Sequence, residues 1–178
     1  MSIPTAPKIV VMGAGAVGCY FGGMLARAGN SVTLIGRPQH VDAVNRAGLW
    51  LESLKFAEFV PMQAVTDLRS ASDPDIVLFC VKTPDSANAA RDLAAHIKPG
   101  AVILSLQNGV DNVSRIRPHV AGPVISLVVY VAVTMTGPGR VKHGGRGELI
   151  IGVQGDSSSD TAAYSLTLNA IAALFGRA

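Results

Sequence analysis

Six residues near the start of the chain, Gly13-Ala14-Gly15-Ala16-Val17-Gly18, place glycine at the first, third and sixth positions of a G-x-G-x-x-G spacing. That spacing suits the capture of an anion. Gly13 permits a tight turn, Gly15 lets the backbone approach a diphosphate, and Gly18 lets the following helix pack close to the preceding strand. A diphosphate seated there meets unpaired N–H groups at the positive end of a helix dipole. A glycine-rich helix start used only for packing has the same spelling, and Gly22-Gly23 suit that purpose. Context separates the two readings: here the glycines directly follow an apolar strand and open a helix, as dinucleotide binding requires.

The choice of dinucleotide falls about 20 residues further on, where NAD-selective sites place a carboxylate on the ribose 2′-OH. The corresponding strand end reads Leu34-Ile35-Gly36-Arg37, with no carboxylate before Asp42. Arg37 offers a guanidinium whose fork matches a 2′-phosphate; the bland alternative is a solvated strand-end arginine. NADP is therefore expected over NAD. Two later strand ends carry Lys82, in Cys80-Val81-Lys82-Thr83, and Asn108, in Leu106-Gln107-Asn108-Gly109-Val110. Ligands of open α/β sheets bind at the carboxyl ends of strands, which directs both residues to the same crevice. Singly, Lys82 reads equally as a solvated lysine and Asn108-Gly109 as a plain turn.

For these groups to meet, the chain must build strands that end side by side. Strands are expected over 8–12, 31–35, 75–81 and 101–106, with helices over 16–28, 41–47, 86–97 and 111–116. The first strand, glycine turn, helix and second strand form a βαβ unit with a right-handed crossover. Leu49–Leu51 and Phe59–Val65 read as a hairpin-like pair. Val124–Met135, Arg140–His143 and Glu148–Gly152 read as an antiparallel extension joined by Gly/Pro turns. Ser157-Ser-Ser-Asp160 is expected to cap a last helix over 161–175. The pattern predicts an α/β fold, a doubly wound and mostly parallel sheet with an antiparallel extension.

Composition sets the outer bounds. The 178 residues suit one domain, and with 49% hydrophobic and 15% charged residues a packed core is available. A net charge of +3 without a basic stripe, and 5% aromatic residues, argue against nucleic acid and for small anionic partners. Cys19 and Cys80 lie in apolar runs without metal-ligand spacing, so neither a disulfide framework nor a metal site is expected. A reducing, cytoplasmic setting fits them. The uncharged stretch 120–139 is broken by Gly122-Pro123 and Gly137-Pro138-Gly139 and alternates like a strand, which argues against a membrane span.

Taken together and in order, these pieces resemble ketopantoate reductase (2-dehydropantoate 2-reductase). The match rests on Gly-Ala-Gly-Ala-Val-Gly followed by Tyr20-Phe21-Gly22, the strand-end Gly36-Arg37, Val81-Lys82-Thr83, Gln107-Asn108-Gly109-Val110, Gly137-Pro138-Gly139-Arg140-Val141 and Gly152. The resemblance implies a Rossmann-type domain over residues 1–178 and hydride transfer from NADPH to the C2 ketone of ketopantoate, on the route to coenzyme A. It implies that Gly13, Ala14, Gly15, Ala16, Val17 and Gly18 hold the diphosphate and that Arg37 holds the 2′-phosphate. By the same resemblance Lys82 serves the cofactor ribose region, and Asn108 the nicotinamide and substrate side. The family carries a second, helical domain with the lysine that protonates the new alkoxide. None of Lys8, Lys55, Lys98 or Lys142 stands in a matching context, so no catalytic residue is expected in this chain and that domain is expected to be absent from it. Its absence is expected to leave an apolar face, with Leu168, Ile171 and Leu174, uncovered on the last helix, favouring a homo-oligomer.

Three alternatives stay open. Val129–Met135 is more apolar than the family leads one to expect, which points to another 2-keto acid as substrate. The Rossmann halves of 2-hydroxy-acid and polyol-phosphate dehydrogenases share the glycine turn, but Gln107–Val110 argues against them. A non-catalytic nucleotide-sensing module belongs to a different class; Arg37 contradicts its usual acidic ribose ligand.

Overall fold

The run Ile9-Val10-Val11-Met12 is apolar at every position because β1 (Lys8–Met12) has no solvent face. It pairs in parallel with β2 (Ser31–Ile35) on one side and with β6 (Ile76–Phe79) on the other. Sheets covered on both faces demand such continuous runs. The computed structural model describes residues 3–71, 73–109, 111–152 and 158–178. Between β2 and β6 lie β3 (Leu49–Glu52), β4 (Ala57–Val60) and β5 (Gln63–Val65); β7 (Val102–Ser105), β8 (Val124–Gly137) and β9 (Arg140–Gly152) follow. The described strands form one sheet in the order β4-β3-β9-β8-β7-β6-β1-β2-β5.

Helices cover both faces. Chain direction across the sheet reverses at β1: the crossover through α1 (Ala16–Arg27) leads to β2, whereas the one through α3 (Ser86–Ala94) leads from β6 away to β7. Right-handed crossovers in opposite directions must lie on opposite faces. Accordingly α1, α2 (Pro38–Ala47) and α5 (Ser158–Gly176) contribute to one apolar cluster, and α3 with α4 (Asn112–Ile116) to the other. The gap between β1 and β6, where the two directions part, is the topological switch point at which ligands of such sheets bind.

The sheet also curls around α1, which touches β1 to β4, β6, β8 and β9. Its glycines permit this closeness. A Cβ on Gly22 would stand 2.7 Å from Val11 Cγ2, and one on Gly23 2.8 Å from Leu49 and Leu51 methyl carbons. Fully buried side chains such as Leu25, Leu34, Leu51, Leu78 and Phe79 are each worth about 1.5–3 kcal/mol of apolar transfer.

Most predicted elements stand within a few residues of their expected bounds; three differ. Phe59–Val65 is not one strand. Pro61, which has no N–H to give a ladder, separates β4, antiparallel to β3, from β5, which runs parallel to β2 at the opposite edge. The Asn45 side chain fixes that edge by bonding both the N–H and the C=O of Ala64 at 2.9 Å. Next, Arg140–His143 and Glu148–Gly152 belong to a single strand, β9. The residues between them are absorbed as bulges opposite β8, with Gly145, Arg146 and Gly147 at positive φ and a 2.7 Å contact between His143 Nε2 and the Arg146 carbonyl. Finally, the apolar face of α5 is not uncovered. Ile171 and Leu174, at 1% and 3% exposure, pack with α1 and the sheet, and Phe175 meets Phe21 edge-on. Their helical spacing turns them inward, and Leu166 is the large apolar residue of α5 that faces solvent. Of the expected cap, Ser157 lies outside the described residues; the helix begins at Ser158.

Candidate functional site

The glycine turn is held by its neighbours before any ligand arrives. The N–H groups of Gly13 and Ala14 donate to Ile35 O at 3.3 and 3.0 Å, tying the turn to the end of β2. Gly13 has φ +111°, and a Cβ there would press on the Cys80 carbonyl carbon at 2.9 Å, so the position needs glycine on two counts. Gly18 brings α1 against the turn: its Cβ would lie 2.2 Å from Gly13 O. Gly15 differs. It has ordinary extended backbone at φ −83°, and nothing stands within 4 Å of where its Cβ would be. Its missing side chain leaves open space rather than admitting a protein neighbour.

That open space faces the start of α1. Gly15 is the N-cap with no side-chain cap, no acidic residue occupies the first turn, and the first intrahelical bond runs from Cys19 N to Gly15 O at 2.8 Å. Helix geometry therefore leaves the N–H groups of Ala16, Val17 and Gly18 without intrahelical acceptors. Ala14 differs from them, since its amide is already spent on β2. Behind the turn, burial pushes the Cys19 thiol up to about 12, and burial followed by the nearby Cys19 raises that of Cys80. Both behave as inert apolar groups.

Arg37 caps α2 immediately beyond β2, its extended backbone (φ −70°, ψ 152°) favoured by the proline that follows. Lys82 follows β6 and opens a 3₁₀ turn over Thr83–Asp85. Both side chains are exposed, and neither has an ion-pair partner among the described residues. Lys98, Arg69, Arg115, Lys142, Arg146 and Arg27, by contrast, each face a carboxylate. The crevice thus keeps two free cations and an uncompensated helix dipole, a field that attracts anions.

Asn108 lies past the end of β7, exposed, in a turn that Gly109 closes at φ +110°. Two residues without an assigned role in the sequence reading build this corner. Gln107, buried, donates through Nε2 to Val81 O and to Ser86 Oγ, both at 2.7 Å, and accepts from Ser105 Oγ at 3.2 Å. One amide thereby locks the carboxyl ends of β6 and β7 and the start of α3 together. Asn112, at 2% exposure, donates from Nδ2 to Asn108 O at 2.8 Å, while Thr83 Oγ1 reaches the same oxygen at 3.5 Å. For Gln107 the available signal was a polar side chain directly after an apolar run; Asn112, at the start of α4, carried none, and Val110 between them lies outside the described residues.

The four strand ends are adjacent in the order β7-β6-β1-β2, so Asn108, Lys82, the glycine turn and Arg37 follow one another across the sheet. A cavity of about 320 Å³ lies elsewhere, between α1, α5 and the β8–β9 ribbon, lined by Tyr20, Met24, Leu149 and Phe175 among others. It offers apolar contact and no strand-end chemistry. Among the described residues no group of His, Cys, Asp or Glu could hold a metal ion, and no helix is long and apolar enough to cross a membrane.

Parallel sheet, switch point and glycine turn define a Rossmann-like α/β domain. The family profile described as Ketopantoate reductase PanE/ApbA matches residues 9–155, and the chain belongs to that family. A 2-dehydropantoate 2-reductase of Pyrococcus abyssi (strain GE5 / Orsay) is 37% identical over 146 residues, 82% of this chain and 47% of the relative. Among solved structures, a PanE/ApbA family ketopantoate reductase from Ralstonia eutropha JMP134 superposes with a TM-score of 0.83 at 46% identity, covering 96% of this chain and 53% of that one. D-mandelate dehydrogenase, solved as a ternary structure with NADH and anilino(oxo)acetate, gives 0.81 at 26% identity, with 96% and 54% covered. The chain spans about half the length of the relatives it matches.

Proposed function

We propose that this chain is the NADP-binding half of a 2-keto acid reductase, ketopantoate being the first candidate substrate. The observation that carries the reading is the pairing of an open, uncapped glycine turn with a free Arg37 at the next strand end, where no carboxylate stands. Gly15 leaves room for the diphosphate, the amides of Ala16, Val17 and Gly18 donate to it, and Gly13 and Ala14 hold the turn in place. Arg37 takes the 2′-phosphate, Lys82 the ribose on the far side of the diphosphate, and Asn108 the nicotinamide and the substrate. When bound, the reduced nicotinamide supplies a hydride to the keto carbon. The alkoxide that results needs a proton donor, a role that none of the residues assigned here takes.

β8 favours a second reading of the substrate. Its Ser126 pairs with Ser105, the last residue of β7, so the strand continues past the carboxyl end of its neighbour. Val128 and Tyr130 are exposed on that overhang, 49% and 41%, and suit a keto acid with a bulkier apolar side chain than that of ketopantoate.

The cofactor reading is tested by titrating the chain with NADPH and NADH and following ligand fluorescence. NADPH should bind more tightly, and Arg37→Ala should remove most of the preference. A charge-assisted phosphate contact of about 1.5–3 kcal/mol corresponds to roughly ten- to a hundredfold. Equal affinities in the unmodified chain would refute NADP selectivity.

A further inference from the structure

Tyr20 and Phe21 follow the glycine turn on α1, and both line the cavity between α1, α5 and the β8–β9 ribbon. None of the roles assigned to the strand-end crevice uses them. Tyr20 is only 7% exposed, yet its hydroxyl has no hydrogen-bond partner among the described residues. Its ring is fixed, stacked on His143 at 4.5 Å and met edge-on by Phe21 at 5.0 Å. The hydroxyl lies beside Gly147, where an added Cβ would stand 3.2 Å away, and Gly147 lines the same cavity. Burial pushes the phenol above its ordinary range, so it stays a neutral O–H donor. Buried polar groups nearly always have a partner, and an unpartnered hydroxyl facing a cavity points to a ligand that supplies one.

The backbone around the hydroxyl is held in an uncommon path. Gly147 stands at φ +138° next to Arg146 at φ +62°, and His143 Nε2 meets Arg146 O at 2.7 Å. Left-handed non-glycine residues are sparsely populated and gather at ligand sites. The lining names the ligand. No charged side chain borders the cavity, so a carboxylate such as that of a keto acid would be buried there without a counter-ion. Phe21, Phe175 and Met24 offer ring edges and a thioether, which favour aromatic partners. Its volume of about 320 Å³ is roughly twice the ~150 Å³ that suffices for benzene, enough for two fused rings.

We propose that this cavity binds an uncharged aromatic molecule bearing one hydrogen-bond acceptor, in the simplest case a ketone whose oxygen accepts from the Tyr20 hydroxyl. The rings lie between α1 and α5, and the carbonyl points to the Gly147 bulge. This proposal does not rest on the NADP-binding reading.

The experiment is a calorimetric titration of the full chain with three probes. These are 2-acetylnaphthalene, 2-isopropylnaphthalene, in which a methyl group replaces the carbonyl oxygen, and the charged 2-naphthoate. The ketone should saturate at a single molecule per chain and bind about three- to tenfold more tightly than the hydrocarbon, the worth of one neutral hydrogen bond. The naphthoate should bind more weakly than either. Tyr20→Phe keeps the ring and its stack on His143 and should erase the preference for the ketone without weakening the hydrocarbon. Ala172→Trp, at an exposed position that lines the cavity, should fill it and abolish binding of both. Equal binding of ketone and hydrocarbon by the unmodified chain overturns the proposal, even if neither variant folds. So does a preference that survives Tyr20→Phe, undiminished binding to Ala172→Trp, or no binding of the ketone at all. If sedimentation shows that the chain pairs with itself and the ketone binds only to the single chain, a second copy covers the cavity and the proposal fails.

Discussion

Gly15 and Gly18 carry the same residue type three positions apart, yet their surroundings demand opposite outcomes on substitution. At Gly18 an added Cβ would lie 2.2 Å from Gly13 O and 2.9 Å from Val11 Cγ1. Relief requires α1 to move by about 1 Å in a close-packed core, at or above the top of the usual 1–3 kcal/mol overpacking cost. Alanine's better helix propensity returns at most about 1 kcal/mol. Gly18→Ala should therefore lose about 2 kcal/mol or more, lowering Tm by roughly 4–8 °C in a domain of this size. Gly15→Val meets nothing within 4 Å at the Cβ and has extended backbone any residue adopts. Its stability cost is the loss of a favourable N-cap, about 1 kcal/mol or less. The valine instead fills the space left for the diphosphate. Losing two charge-assisted bonds of about 1.5–3 kcal/mol each should weaken NADPH more than a hundredfold. Thermal melts by circular dichroism and NADPH titrations on both variants separate the effects. Gly15→Val binding within tenfold of the unmodified chain would show the turn to be a packing device, and an unchanged melt for Gly18→Ala would contradict the close approach of α1.

Gln107→Leu orphans Val81 O, Ser86 Oγ and Ser105 Oγ at once; urea unfolding should show a loss of about 2–5 kcal/mol, and a loss under about 0.5 kcal/mol would mean that water replaces the amide. Asp75 has its carboxyl held below the usual range first by the 2.6 Å bond from Lys98 Nζ and then by the Lys8 N–H at 2.8 Å, against the opposing effect of burial. A depressed folded-state value contributes stability that is present above the unfolded pKa of about 3.9 and lost as pH falls through the folded one. The urea midpoint should thus drop more between pH 6 and pH 3 in the unmodified chain than in Asp75→Asn, and parallel curves would remove Asp75 from the account. With ketopantoate and NADPH the chain alone should show no turnover at 340 nm if, as proposed, the general acid is not among these residues, since such a loss costs ~10²–10⁴-fold and open-crevice positioning costs more; rates on the order of 1–10³ per second would place a proton donor within these residues, Lys82 being the first to test.

Local chemistry made much of this molecule legible. The buried strands β1, β6 and β7 declare themselves because a strand covered on both faces must be largely apolar, β2 by its alternation of buried Val32 and Leu34 with more exposed neighbours, and the glycine turn because its backbone path admits no side chain at Gly13. Arg37, Lys82 and Asn108 could be nominated from position alone, since each lies two or three residues past the carboxyl end of a strand. What the chain could not show in one dimension is which edge a strand joins. β4 and β5 are separated by two residues, Pro61 and Met62, yet lie at opposite edges of the sheet. That choice rests on the Asn45–Ala64 bonds and on β9 offering an edge to β3, both contacts between residues far apart in sequence. Whether Ile171 and Leu174 are exposed was likewise invisible in their spacing, which marks a face but not what lies against it; α1 and the curled sheet supplied the answer. The roles of Gln107 and Asn112 depend on partners contributed by β6, α3 and the Asn108 turn. A hydrogen bond needs two groups within about 3 Å, and only the folded chain brings them there.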